Sequence, residues 1–206
     1  MIDDSYLEMK VNFGRFNLEF NKPLEKFEFN ELSDLISYYP ITMELIEKSD
    51  DNDNQKTIVS LSGYFYDMDY IYKYGQSLFD TFDMCSGDTN KLYDILFDEE
   101  ENIKIDYQTF SDNIFYLDRI YVEKDYRNKG YAKLLLKQLE DLIKYVFKLN
   151  VGIIVVCAQP FEKNCAEEKM IRNDKTLKRK LIELYKNVGF KETNSNYDYL
   201  VKVIDD

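Results

Sequence analysis

The chain has 206 residues, which suits one domain and leaves little room for two. Hydrophobic residues make up 45% and aromatics 16%, with only 7 Gly and 3 Pro, so wholesale disorder and linker-rich or collagen-like architectures are excluded. The chain has 0 His, which removes Ser-His and Cys-His nucleophile systems and the common zinc sites, and its net charge of −12 disfavours nucleic acid and anionic membrane.

Leu7, Met9, Val11 and Phe13 alternate, as do Phe16, Leu18 and Phe20, with Gly14-Arg15 between them. Period-two alternation on both sides of a glycine predicts two strands in a hairpin. Asn30 precedes Leu32, Leu35 and Ile36, a helical spacing that Pro40 is expected to close. Ser49 to Asn54 is an Asp/Asn-rich polar loop; it lacks the glycine and terminal glutamate of a calcium loop and reads as a solvated turn. Thr57 to Tyr66 reads as a strand, and Tyr70 to Phe97 as mostly helical with a break near Ser86-Gly87.

Asp98 to Glu101 is an acidic loop, and Asn113 to Val122 returns to strand. A basic turn, Arg127 to Gly130, leads into an amphipathic helix with Leu135, Leu136, Leu139, Leu142, Ile143 and Val146 on one stripe. Val151 to Cys157 is continuously apolar, as in a strand covered on both faces. Thr176 to Asn187 is a helix, Phe190 begins a short strand, and Tyr197 to Ile204 is the last one. The second half therefore alternates in the manner of an α/β or α+β fold.

Cys85, Cys157 and Cys165 form no CxxC pair and imply no disulfide framework. Met1 to Tyr6 has no apolar run, so no signal peptide is expected, and the longest apolar run is too short to span a bilayer. A cytoplasmic location and no membrane partner are the expectation.

The segment Tyr126-Arg-Asn-Lys-Gly-Tyr-Ala132 follows a strand and opens a helix. A helix start offers unpaired N–H groups and a partial positive charge, which suits a phosphate. Ile120-x-Val122 stands before it, and Tyr185-x-x-x-Gly189-Phe190 comes later, beyond the apolar strand. This order of motifs resembles the GNAT superfamily of acetyl-CoA-dependent N-acetyltransferases. The likeness covers residues 113–204 well and 1–112 poorly.

The resemblance implies a single domain over 1–206, with a mixed, mostly antiparallel central sheet flanked by helices and two splayed central strands. It divides the chain into a divergent acceptor-side half, 1–112, with a helical insertion, and a coenzyme-binding half, 113–204. It implies acetyl-CoA as cosubstrate and no metal. The backbone of Ile120, Tyr121 and Val122 would pair with the pantetheine arm. The N–H groups of Arg127, Asn128, Lys129, Gly130, Tyr131, Ala132 and Lys133 would hold the pyrophosphate. Tyr185 matches the family's general acid. Asp118, two residues before Ile120 and expected on the same strand face, stands where some members carry a base; Tyr116, two residues further back, would extend a polar path. Acceptor-binding carboxylates could instead come from Asp67, Asp69, Asp80 or Asp83.

Lys178 stands where many members carry a pantetheine-binding Asn, and the stretch between Pro160 and the last helix is long and basic, with Lys163, Lys169, Arg172, Lys175, Arg179 and Lys180. The expected reaction is direct transfer of an acetyl group to a primary amine in a ternary complex. The acceptor is an amine-bearing small molecule or a protein or peptide amine; no nucleic acid partner is expected. The alternative is a catalytically weak binding module of the same fold that acts through its N-terminal half. Tyr and Phe in that half suit either an acceptor pocket or a homodimer interface.

Overall fold

Strands occupy both ends of the sequence and a run of short helices separates them. The computed structural model describes residues 6–13, 38–49, 52–83, 87–164, 167–170, 174–194 and 198–204. In chain order the elements are β1 (Tyr6–Phe13), β2 (Tyr38–Ser49), β3 (Asn52–Tyr66), α1 (Met68–Lys73), α2 (Leu78–Asp83), α3 (Gly87–Leu96), β4 (Ile114–Val122), α4 (Tyr131–Phe147), β5 (Ile153–Cys157), β6 (Phe161–Asn164), β7 (Glu167–Met170), α5 (Lys175–Lys186), β8 (Lys191–Glu192) and β9 (Tyr199–Val203). Short 3-10 turns lie at Ile105–Tyr107 and Lys124–Tyr126.

One sheet of seven strands runs in the order β1-β2-β3-β4-β5-β9-β8, and β6 pairs with β7 in a separate hairpin. Every pairing in the sheet is antiparallel except β4 with β5, which is parallel. The mixed, mostly antiparallel sheet and flanking helices agree with the expected fold class.

Two apolar layers cover the two faces. Strand alternation sends Phe115, Leu117, Ile154 and Val156 to one face, where Leu135, Leu136, Leu139 and Ile143 of α4 and Tyr185 of α5 close over them. It sends Ile114, Tyr116, Ile153 and Val155 to the other, against Met68, Ile71, Phe82, Leu92 and Leu96 of α1 to α3. This double cover explains the uninterrupted apolar sequence of β5. Each buried Leu or Ile of α4 contributes about 1.5–3 kcal/mol relative to exposure.

Several local expectations are corrected. Pro40 does not end a helix: it lies in β2 opposite Tyr64 of β3. β1 as described pairs with Ile41 to Lys48, so among the described residues no strand faces Pro40 on that side and its missing N–H leaves no described partner unpaired. β1 pairs with β2, whereas Phe16 to Phe20 and the Leu32 to Ile36 helix lie outside the described residues. Of the polar run 49–54, Ser49 ends β2 opposite Asn52 at the start of β3, and residues 50 and 51 lie outside the described residues. Tyr70 to Phe97 is three helices with an additional break at Gly75, whose φ is +60°. The long segment before α5 contains β6 and β7.

Asn113 ties these layers together. Its Oδ1 accepts from the Met68 N–H at 3.0 Å and its Nδ2 donates to the Asn150 carbonyl at 2.9 Å. Its own carbonyl accepts from the N–H groups of Gly152 and Ile153 at 2.9 and 3.2 Å. A buried amide satisfied this fully fixes the start of α1 and the register of β4 against β5.

Candidate active site

β4 and β5 pair from Ile114–Ile153 to Leu117–Val156, and the pairing stops there. β4 continues to Val122 with β3 as its partner, while β5 continues to Cys157 beside Tyr199 of β9. The two central strands thus separate into a fork beyond Leu117. The cause is visible in the β3–β4 register. Gly63 faces Leu117 and Ser62 faces Arg119, so Asp118 is an extra residue on β4, a β-bulge. A bulge bends its strand and increases the local twist, which turns β4 away from β5 at this point. Gly63 is required opposite: a Cβ there would lie 2.5 Å from the Tyr116 carbonyl oxygen.

The bulge also overturns the expected placement of Asp118 and Ile120 on one face with Tyr116. Tyr116 packs in the α1–α3 layer, but Ile120 and Val122 pack in the α4–α5 layer beside Leu117. The extra residue reverses the alternation. Asp118 is instead engaged by its neighbour, with Arg119 Nε 3.2 Å from Oδ2.

Backbone direction along the free part of β4 follows from one bond. The Glu123 N–H donates to the Ile58 carbonyl of β3 at 2.9 Å. Peptide groups alternate sides along a strand, so Tyr121 also faces β3, and the N–H and C=O of Ile120 and Val122 face the fork. The Val122 carbonyl accepts from Arg127 Nε at 3.1 Å. The Arg127 guanidinium also lies over the ring of Tyr121, 5.4 Å from its centroid, so this side chain ties the end of β4 to the turn that follows.

That turn ends at Gly130, the residue before α4, with φ +89° and no side-chain cap. Asn128 has φ +62°, so two left-handed residues flank Lys129. Helix starts prefer Ser, Thr, Asp or Asn, whose oxygens take up the first N–H groups. Here the residue is glycine and the first turn, Tyr131, Ala132 and Lys133, contains no acidic residue. Lys129, Gly130 and Lys133 are exposed, and Tyr131 and Ala132 are half-buried.

The turn is braced from β2 and β3 by residues that no sequence pattern connects. The Tyr126 hydroxyl donates to Glu47 Oε2. Hydrogen bonding to Glu47, then partial burial, pushes the Tyr126 phenol up to about 12. Lys56 and Lys129 place their ammonium groups 4.8 and 4.9 Å from the Tyr126 ring centroid. The Glu47–Tyr126 pair spans 79 positions, beyond any local pattern.

Tyr185 is buried on α5 in the α4–α5 layer. Its carbonyl accepts from the Phe190 N–H at 3.1 Å, and the Lys186 carbonyl from the Gly189 N–H at 3.1 Å, with Gly189 at φ +99°. This is the Schellman helix ending, and the Tyr185 and Phe190 rings make its apolar contact edge-to-face at 5.6 Å. The Tyr-x-x-x-Gly-Phe pattern therefore has a structural reason of its own. Burial, and secondarily charge on Cys157, pushes the Tyr185 phenol well above its ordinary value. No described residue hydrogen-bonds its hydroxyl.

The remaining candidates are dispersed. Asp67 caps α1, accepting from the Tyr70 N–H at 3.0 Å, and Asp69, Asp80 and Asp83 are exposed. Lys178 is 2.5 Å from Asp198, an ion pair that ties α5 to the start of β9. Arg172 and Cys165 lie outside the described residues. Among the described residues no group of three metal-ligating side chains could hold an ion, and no helix is long and apolar enough to cross a membrane.

Residues 95–192 match the family described as acetyltransferase (GNAT) domain. No curated protein matches the chain. Solved structures with a similar course include KacTA in complex with DNA, at 10% identity and TM-score 0.44, covering 95% of this chain and 93% of that one. AtaTR bound with AcCoA has 9% identity and TM-score 0.40, covering 80% and 67%. NAA60 of Arabidopsis thaliana with a bisubstrate analogue has 13% identity and TM-score 0.40, covering 80% and 76%.

Proposed function

We propose that the protein is an acetyl-CoA-dependent N-acetyltransferase acting on a primary amine. The observation that carries this reading is the fork: β4 runs on from Leu117 to Val122 without β5, and the turn that follows it leads to the uncapped start of α4. An extended ligand arm fits beside Ile120 and Val122 as an added strand, through the backbone groups that face the fork. The N–H groups at the start of α4, from Gly130 to Lys133, suit a pyrophosphate, and the absence of acidic residues in the first turn keeps that end electropositive. Arg127 and Tyr126 hold the turn in position rather than meeting the ligand through their side chains.

Acetyl-CoA supplies the activated acyl group as a thioester. The chain has to remove a proton from the acceptor ammonium and stabilise negative charge on the departing sulfur. Asp118, at the bulge where the fork opens, is the proposed base, with water carrying the proton to it. Arg119 orients its carboxylate. Tyr185 is the proposed donor to sulfur. Its raised pKa keeps the phenol protonated, but complete transfer to a thiolate of ordinary pKa ~8.5 runs uphill. Tyr185 therefore acts by donating a hydrogen bond to the developing thiolate, and solvent completes protonation after release.

The experiment is turnover of acetyl-CoA against a panel of amines, polyamines, aminoglycosides, lysine peptides and peptide N-termini, read by thiol release. Amine-dependent release is expected for at least one class. Binding of acetyl-CoA without release for any of them would favour the binding-module alternative.

A further inference from the structure

The segment 67–112, between β3 and β4, holds twelve carboxylates and three lysines, a net −9 out of −12 for the whole chain. The same segment supplies Tyr72, Tyr74, Phe79, Ile105 and Phe110, five of the seven exposed large hydrophobic residues among those described. Charge and exposed apolar surface therefore coincide in under a quarter of the sequence.

Some of these groups are in contact. Tyr93 stacks edge-on to Phe79 at 5.7 Å, and its hydroxyl donates to Glu101 at 3.3 Å. Burial pushes the Tyr72 phenol up to about 12, with the charges of Asp112, Glu101 and Asp69 adding to the rise in that order. Two of the three local lysines have other partners. Lys104 spends its ammonium on the Asp94 and Ile95 carbonyls at the end of α3, at 2.5 and 3.1 Å, and Lys73 lies over the Tyr74 ring at 5.3 Å.

The patch lies before the start of β4. Asp112 stands five residues before the fork opens at Leu117, so at ~3.3 Å per residue roughly 17 Å separates it from the mouth of the fork and roughly 30 Å from the far end at Val122. We propose that this face is a docking surface for an arginine- and lysine-rich polypeptide segment. Aromatic rings rimmed by carboxylates hold guanidinium groups by stacking and by charge together. The same charge disfavours a second copy of the chain, which would set like charges against each other, and disfavours nucleic acid. This inference does not rest on the acetyl-transfer reading, because it concerns the opposite end of β4.

The test is calorimetric titration of the full chain with a short arginine–glycine peptide at low salt, using a glutamate–glycine peptide of equal length as control. Amide chemical shifts are followed in parallel. Saturable binding with shifts confined to 67–112 is expected, weakened at least about tenfold in the combined variant Tyr72→Ser, Glu101→Gln, Asp112→Asn. The variant Asp141→Asn, Glu183→Gln, which removes as many charges from exposed positions of α4 and α5, should bind like the parent. Equal weakening by both variants, shifts spread over the whole surface, or no binding would each overturn the proposal.

Discussion

Replacing Tyr185 by Phe separates the structural role of this residue from its proposed chemical one. The ring contact with Phe190 and the helix-ending hydrogen bonds to the Tyr185 carbonyl survive the change. No described residue hydrogen-bonds the hydroxyl, so its removal is expected to alter stability by less than about 1 kcal/mol. A hydrogen bond aimed at developing charge is worth about 10²-fold in kcat, or ~2.7 kcal/mol at the transition state. Tyr185→Ala makes the contrast. It removes a fully buried ring and is expected to cost about 3–5 kcal/mol in stability. The assays are urea denaturation and steady-state thiol release at saturating acetyl-CoA. An unchanged kcat in a folded Tyr185→Phe protein would refute the donor role. A stability loss as large as that of Tyr185→Ala would show that the hydroxyl serves the fold instead.

Other outcomes follow from the same geometry. Gly152→Ala would place a Cβ 1.7 Å from the Ser111 carbonyl oxygen, so the β4–β5 corner must move; a loss of about 3 kcal/mol or more, or failure to fold, is expected in denaturant titration. Arg127→Met removes the bond to the Val122 carbonyl and should raise KM for acetyl-CoA about tenfold while leaving kcat near the parent value. Alkaline stability is set by tyrosines. Tyr72, Tyr126 and Tyr185 all have folded-state pKa values above the ordinary 10.0, so the unfolded chain ionises first. Their contribution to stability is complete below pH 10.0 and is lost as pH rises from there through the folded-state values, which phenolate absorbance and circular dichroism together would register.

The second half of the chain was legible because its signals are local. A glycine before an amphipathic helix, a doubly covered apolar strand and a Tyr-x-x-x-Gly-Phe helix ending are each written in a few consecutive residues, and each appears where expected. β2 was hidden because Pro40 reads as a helix stop unless the extent of β1 is known. The bulge at Asp118 was hidden because it arises from pairing with β3 and leaves the apolar pattern of β4 unmarked. Period-two reasoning then assigned Asp118 and Ile120 to a common face with Tyr116, which the shifted register forbids. The bracing of the turn by Glu47 and Lys56 could not be read for the same reason, since both approach through the sheet from distant strands.

The fork between β4 and β5 and the start of α4 are the proposed seat for acetyl-CoA. Calorimetric titration of the full chain with acetyl-CoA tests it most directly. One saturable site per chain is expected, with amide shifts concentrated at Ile120 to Val122 and Gly130 to Lys133. Absence of binding at millimolar acetyl-CoA, or shifts elsewhere, would contradict it.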